Sequence, residues 1–424
     1  MIRRGNVHER HHGSRAPIPP TFDWRVVKPR KGRSWLAGAV LGGGVGVVVD
    51  LPSLLTGALA VSIGQDFSFG STGLGAAIGM SRGVAALSSV WVGRIADRIG
   101  STNALRLATA AAAMSSGSIA LFATNWALLA AGLVVAGLAI ALGHPAANRL
   151  LSMNVRPDRQ GVAFGIKQSA PAVASLIAGL SVPIVAVSYG WRSAFGLGAA
   201  AAVAMLFVIG RRPAVSSQAV DPAPTLARGG RAFRRGMTML GVGFGLATAA
   251  AVVVPAFYVN SAVRAGTPVA RAGMLLAVAS GLTVIVRLSL GVVAGRMAKG
   301  HFPLCGALVA SGAIVLVLLG NSNQTIMAAG VFIATPTIWG FNGVFWYAVI
   351  RIAGDRPGAV TGLMAPGGHV GGSLGPVVFG ITAALVGYSL TWILWTAVAL
   401  SASAAMFAAA GILDRSSKPL KKDA

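Results

Sequence analysis

Gly93-Arg94-Ile95-Ala96-Asp97-Arg98-Ile99-Gly100 lies between two long apolar runs, residues 71–92 and 104–123. A glycine, an acid four residues on, an adjacent arginine and a second glycine predict a tight charged turn between membrane helices. A shorter echo, Gly295-Arg296-Met297-Ala298-Lys299-Gly300, follows another apolar run about 200 residues later, as a duplicated bundle requires. A single copy is compatible with an ordinary polar loop. Two copies at matching places in the hydropathy pattern point to a repeat.

Composition says which solvent the chain is built for. Of its 424 residues 55% are hydrophobic and 11% charged, with a mean hydropathy of +0.73. A soluble domain carries about 25% charged residues. The pattern is that of a polytopic membrane protein. A net charge of +25 would suggest a nucleic-acid partner in a soluble chain. Here the positive-inside rule accounts for it, because lysine and arginine crowd into alternate loops, and no nucleic-acid partner is expected. The single cysteine, Cys305, allows no disulfide within the chain.

Twelve apolar runs follow one another, each long enough for a span of ~20 residues. The first six are residues 35–63, 71–92, 104–123, 126–152, 162–187 and 191–209; the second six are 239–263, 270–294, 302–319, 325–350, 360–386 and 390–412. Residues 1–33 form a basic tail with nine Lys/Arg and three histidines, His8, His11 and His12. Disorder against an anionic leaflet is the expectation for it, with no metal bound. A polar connector, 211–235, joins the two six-helix bundles, 34–210 and 236–412, and a basic tail, 413–424, closes the chain. Counting lysine and arginine places both tails and the connector on the cytoplasmic side of an inner membrane. Only Arg192, Arg264 and Arg271 fall on the other side. The repeat recurs further on. Asp158-Arg159 and Asp355-Arg356 lead into spans 5 and 11, and Gly190-Trp191 and Gly387-Tyr388 end them.

The pattern Gly93-x-x-x-Asp97-Arg98-x-Gly100 resembles the loop signature between the second and third spans of the major facilitator superfamily. The likeness covers nearly the whole chain outside the tails. It implies an all-α fold of twelve transmembrane helices in two pseudo-symmetric bundles that rock around a midplane site. It also implies that Asp97 latches spans 2 and 11 together, and that spans 1, 4, 7 and 10 line a cavity with 2, 5, 8 and 11 beside them. Two departures matter. The second copy carries Lys299 where the first has Asp97, so its acid latch is missing. Span 5 reads Gly165-Ile166-Lys167-Gln168-Ser169-Ala170-Pro171, which lacks the glycine signatures of drug antiporters and of nitrate transporters.

Nothing in the chain suggests an enzyme or a bound cofactor. No Walker A sequence is present. Gly79-Met80-Ser81-Arg82-Gly83 fits the nucleophile pattern G-x-S-x-G, but it lies within a span instead of at a strand-to-helix elbow. The glycines of Gly42-Gly43-Gly44-Val45-Gly46 sit in an apolar helix, where small residues allow close helix contact.

Ionisable residues inside spans carry the information, since each costs roughly 2.5–3.5 kcal/mol at mid-membrane. Asp50 is the one acid well within a span; Arg82, Lys167 and Arg287 are the internal cations, and His144 and His369 can titrate. In the repeat, Arg82 and Arg287 fall within one helical turn of equivalence, so they should approach the central axis from opposite halves. Facing arginines on spans 2 and 8 are similar to those of nitrate and organic-anion members of the superfamily. Guanidinium forks suit a planar oxyanion. Asp50 would pair with Arg82 in the empty site or carry the coupling proton. Asn342, with Trp339, Phe341, Trp346 and Tyr347 on span 10 and Tyr258 on span 7, could shape an organic substrate. The structural alternative is a buried Asp50–Arg82 pair, an Arg287 bonded to backbone carbonyls, and histidines that serve helix packing.

The expected function is secondary transport of a small, organic anion coupled to protons, by a monomer whose other partner is membrane lipid. Export of a neutral or cationic compound is the runner-up, and a non-transporting sensor on the same fold is a third reading.

Overall fold

The computed structural model describes residues 35–155, 157–210, 230–353 and 357–416. The tail of residues 1–33 and most of the connector lie outside the described residues, as do the end of the C-terminal tail and the Asp97 side chain. Every described element is a helix. Ten stretches are long and apolar enough to cross a membrane. One of them, Met364–Arg415, passes through Gly387, whose backbone (φ 80°, ψ 166°) is not helical, so it is two spans joined by a turn. Ser71–Ile99 adds a further helix of 29 residues, long enough to cross although Arg82, Arg94 and Arg98 make it more polar. The total among the described residues is twelve.

Spans 1 to 6 are Trp35–Ala58, Ser71–Ile99, Ser101–Phe122, Trp126–Asn154, a broken span 5, and Trp191–Gly210. Span 5 runs Pro157–Gln168, Ala170–Ser181 and then a π-helical turn, Val182–Ala186, into Val187–Tyr189. Spans 7 to 10 are Arg231–Arg264, Val269–Arg296, His301–Leu316 and Gln324–Ala353; spans 11 and 12 divide Pro357–Ser416 at Gly387. Large apolar side chains such as Leu87, Trp91, Leu121 and Leu385 point outward, as a lipid-facing surface requires.

Three boundaries differ from the sequence reading. The charged signature is no loop: span 2 stays helical through Gly93, Arg94 and Arg98 to Ile99, and the turn is Gly100 alone. Arg94, Ala96 and Arg98 are good helix formers, while Gly100 takes φ 82°, a value favourable only to glycine. The helix of span 7 begins at Arg231, inside the expected connector, and that of span 12 runs to Ser416, into the expected tail. The first apolar run also divides, with Ala60–Phe67 forming a short second helix after Leu59.

The turns repeat between the halves. Gly100 (φ 82°) corresponds to Gly300 (φ 87°), and Gly190 (φ 79°) to Gly387 (φ 80°). Ser68 (φ 53°), between spans 1 and 2, corresponds to Gly266 (φ 87°), between spans 7 and 8.

We call the side on which span 1 begins the proximal face and the other the distal face. The bundles interlock through glycines in the distal halves of paired spans. A Cβ on Gly57 of span 1 would meet Ala256 Cα of span 7 at 2.8 Å, and one on Gly179 of span 5 would meet Ala277 N of span 8 at 2.7 Å. Gly75 and Gly380 bring spans 2 and 11 equally close. Hydroxyls tie the same seams: Ser175 Oγ and Ser280 Oγ lie 2.8 Å apart, and Ser373 Oγ donates to Gly79 O at 3.1 Å. On the proximal side, Gly161 packs on the Tyr347 ring, 3.4 Å from a notional Cβ.

Candidate functional site

Three polar residues of the N-terminal bundle sit beside prolines. Asp50 precedes Pro52 in span 1, His144 precedes Pro145 in span 4, and Lys167 precedes Pro171 in span 5. A proline inside a helix has no N–H and leaves the carbonyl four residues earlier without its helix donor. In span 5 the helix breaks at Ser169, directly after Lys167-Gln168. The glycine run of span 1 lets spans 4 and 5 come close. A Cβ on Gly42 would touch Ala147 Cβ at 3.4 Å and Lys167 Cγ at 3.8 Å, and one on Gly46 would lie 3.8 Å from His144 Cε1. Small residues here lay Lys167 and His144 against the helix that carries Asp50.

The result is a hydrogen-bonded chain. The Asp50 carboxylate is fully buried; its Oδ1 lies 3.2 Å from Arg82 Nη2, and its Oδ2 lies 3.1 Å from His144 Nε2. His144 Nδ1 is in turn 3.0 Å from Lys167 Nζ, which also donates to Gln168 Oε1 at 3.1 Å. An ammonium can only donate, so His144 accepts at Nδ1 and gives its Nε2–H to Asp50. The imidazole therefore bridges a buried lysine and a buried carboxylate. Lys167 is 2% exposed, so its ammonium is desolvated, while the His144 side chain keeps 22% of its surface.

Arg287 stands on the other side. It is buried on span 8, its Nε donates to Trp339 O at 2.9 Å, and its guanidinium carbon sits 5.3 Å from the centre of the Trp339 ring. Its Nη1 donates to Gln168 O. That bond crosses from the C-terminal bundle to the N-terminal bundle at the break in span 5. Trp339 is itself fixed by an indole N–H to Ala251 O of span 7.

The structure thus brings Asp50, Arg82, His144 and Lys167 into direct contact and joins Arg287 to them through Gln168. In this state Arg82 pairs with Asp50 and Arg287 bonds two carbonyls, so the two forks do not share a partner. His369 is half-buried on span 11, and no hydrogen bond among the described residues joins it to the chain. Asn342 stays apart from the chain, with a buried Oδ1 that has no hydrogen bond; the buried Asp50 Oδ1, Arg82 Nε and Tyr258 hydroxyl likewise have none, so Arg82 and Asp50 meet as an ion pair only. Ser81, of the nucleophile-like pattern, bonds Ser53 Oγ at 2.8 Å instead of a histidine. In the charged signature, Gly93 has open space around it, Arg98 is exposed, and Gly100 N–H bonds Ala96 O at 3.0 Å. Sequence reasoning missed Gln168, whose side chain receives Lys167 and whose carbonyl receives Arg287. Its position between a buried lysine and a helix-breaking proline was the available signal.

Two six-helix bundles around a buried charged junction are an arrangement suited to moving a solute across a membrane. A family profile described as Major Facilitator Superfamily matches residues 35–376, and the chain belongs to that family. Among solved structures it is similar to a bacterial homolog of the human lysosomal transporter Spinster, in an inward-facing and unoccupied conformation. The TM-score is 0.71 and the identity 16%, over 92% of this chain and 100% of that one. A search of curated proteins gives no match. The protein is a transporter and not an enzyme.

Proposed function

We propose that the protein carries a small organic anion together with a proton across a cytoplasmic membrane, with both termini in the cytoplasm. One observation carries this reading: Arg82, Lys167 and Arg287 are packed with a single carboxylate, Asp50, in a buried junction between the bundles. Three cations against one acid leave a positive site, which is costly when empty and relieved by an anion. Asp50 pairs with one nitrogen of the Arg82 guanidinium, to which the substrate carboxylate would bind. Protonating Asp50 removes that competitor. A proton can reach it along the chain: Lys167 gives a proton to His144 Nδ1 as His144 Nε2 gives one to Asp50. This moves one proton from Lys167 to Asp50 and leaves the imidazole in its other tautomer; the neutral Lys167 amine then takes up the coupling proton from solvent. Proton and anion then enter the site together, and opening of the distal or proximal seam delivers both.

The test is flux of organic anions into proteoliposomes under an imposed pH gradient. Uptake should follow the inward proton gradient, and Asp50→Asn should retain exchange of anion while losing the dependence on pH. Arg287 already has carbonyl partners, which favours a second reading, export of a cation drawn to Asp50. Cation flux with no anion flux would establish that reading and remove the first.

A further inference from the structure

The two bundles treat one corner of the distal face in opposite ways. In the N-terminal bundle, Asp66 lies two residues before the Ser68 turn, and Trp191 and Arg192 follow the Gly190 turn. Asp66 Oδ2 receives Trp191 Nε1 at 2.8 Å and Arg192 Nη1 at 3.2 Å, and Arg192 Nη2 donates to Ala123 O at 2.9 Å. The corner closes with its own acid.

The corresponding positions in the C-terminal bundle read differently. Arg264, two residues before the Gly266 turn, stands where Asp66 does; Tyr388 and Ser389, after the Gly387 turn, stand where Trp191 and Arg192 do. Ser389 Oγ donates to Gly320 O at 2.6 Å, repeating the role of Arg192. Arg264 is exposed, its guanidinium carbon 5.2 Å from the centre of the Tyr388 ring, and no ion pair of the described residues includes it. The Tyr388 hydroxyl is buried with no hydrogen-bond partner. In place of the carboxylate there is a cavity of about 250 Å³, lined by Ser261, Arg264, Asn321, Ser322, Tyr388 and Ser389.

We propose that this corner binds one anionic group, a carboxylate or a phosphate, held by the Arg264 guanidinium and the Tyr388 hydroxyl. The ligand supplies the charge that Asp66 supplies in the other bundle. Arg264 is the one charged residue of the lining, so nothing there repels an anion. The volume falls below the ~300–1,000 Å³ of drug-sized pockets, so it admits a head group and not a whole organic ligand. Free phosphate and the head group of an anionic lipid present the same chemistry, and the distal face gives access to both. The site is separate from the central junction and does not rest on the anion-transport reading.

Equilibrium binding of radiolabelled inorganic phosphate to the full chain in neutral detergent tests the free-anion arm. Retention of spin-labelled phosphatidylglycerol over phosphatidylcholine, in vesicles holding both, tests the lipid arm. In whichever arm binds, Arg264→Gln should weaken affinity about tenfold or more, as loss of a charged hydrogen bond does, and Tyr388→Phe roughly several-fold. Phosphate bound at the central junction would persist in both variants, so the difference from the parent reads this corner alone. The double substitution Arg264→Asp with Ser389→Arg rebuilds the other bundle's pairing and should abolish the binding while the protein stays folded. Tyr388→Phe leaves the arginine stacked, so it keeps the test decisive if the charge variants fold poorly. Binding of phosphate and of phosphatidylglycerol unchanged in Arg264→Gln and Tyr388→Phe would overturn the proposal.

Discussion

Gly179→Ala should open the distal seam. A Cβ there would lie 2.7 Å from Ala277 N, 2.8 Å from Gly273 O and 3.0 Å from Ala277 Cα. All three are backbone atoms, so no rotamer change relieves the contact. Spans 5 and 8 must part by roughly 0.7 Å, the difference between 2.7 Å and the 3.4 Å at which ordinary contact begins. Overpacking of that kind costs about 1–3 kcal/mol. Borne only by the state in which the distal halves touch, it shifts the equilibrium roughly 5- to 150-fold toward the distal-open state. Gly165→Ala is the control, because it lies on the same span and no atom comes within 4 Å of its notional Cβ. Both variants gain the helix preference of alanine over glycine, roughly 1 kcal/mol, so that effect cancels between them. The assay is pulsed electron paramagnetic resonance between spin labels at Ser68→Cys and Ser322→Cys, exposed positions on the distal sides of the two bundles, in a Cys305→Ser background. The parent and Gly165→Ala should share one short distance, and Gly179→Ala should gain a longer one. Identical distance distributions for the two alanine variants would refute the reasoning.

Other expectations are more direct. Arg82→Lys and Arg287→Lys keep the charge but lose the planar fork, so each should weaken anion binding by about 1.5–3 kcal/mol in a proteoliposome affinity measurement; parental affinity in both would make the arginines structural. Arg287→Lys should in addition lengthen the same spin-label distance, since the bond to Gln168 O crosses between the bundles. Asp97→Asn should slow turnover at nearly unchanged expression, and normal turnover would reduce the charged signature to a helix end. An impermeant maleimide applied to whole cells should label Ser68→Cys and Ser322→Cys, and labelling only after permeabilisation would reverse the topology.

The span count was legible because each apolar run has the length that a bilayer imposes. The ends of the helices were less so, since hydropathy stops where lipid stops and the helix does not. Arg94 and Arg98 end the apolar run of span 2 but are good helix formers, and the helix continues to Ile99. Burial cost likewise made Asp50, Arg82, Lys167 and Arg287 visible, as no charged group lies inside a span without compensation. Their partners were harder to read. Helical phase places Arg82 and Arg287 toward the axis, yet it says nothing of span 4, whose His144 reaches Asp50 across 94 residues of sequence. Gln168 was legible only by its place between Lys167 and Pro171, because a neutral amide in a span costs far less than a charge.

The positions of these partners separate two tasks. Asp50, Arg82, His144, Lys167 and the Gln168 side chain all belong to the N-terminal bundle, so their bonds survive a rigid rotation of one bundle against the other. The bond from Arg287 to Gln168 O has one end in each bundle, so the same rotation must break it. On the proposed reading, proton handling is therefore internal to one half, and among the described residues the charged bond between the halves is the one from Arg287 at the junction. Breaking it leaves a buried guanidinium without one of its acceptors, at a cost of several kcal/mol unless something replaces the carbonyl. A substrate carboxylate can do so, and its charge makes it a stronger acceptor for the guanidinium than the neutral carbonyl it replaces. Coupling then needs no signal passed over a distance. The anion that frees Arg287 from Gln168 is the one that needs Asp50 protonated to reach Arg82, so binding, proton uptake and release of the halves depend on the same few atoms.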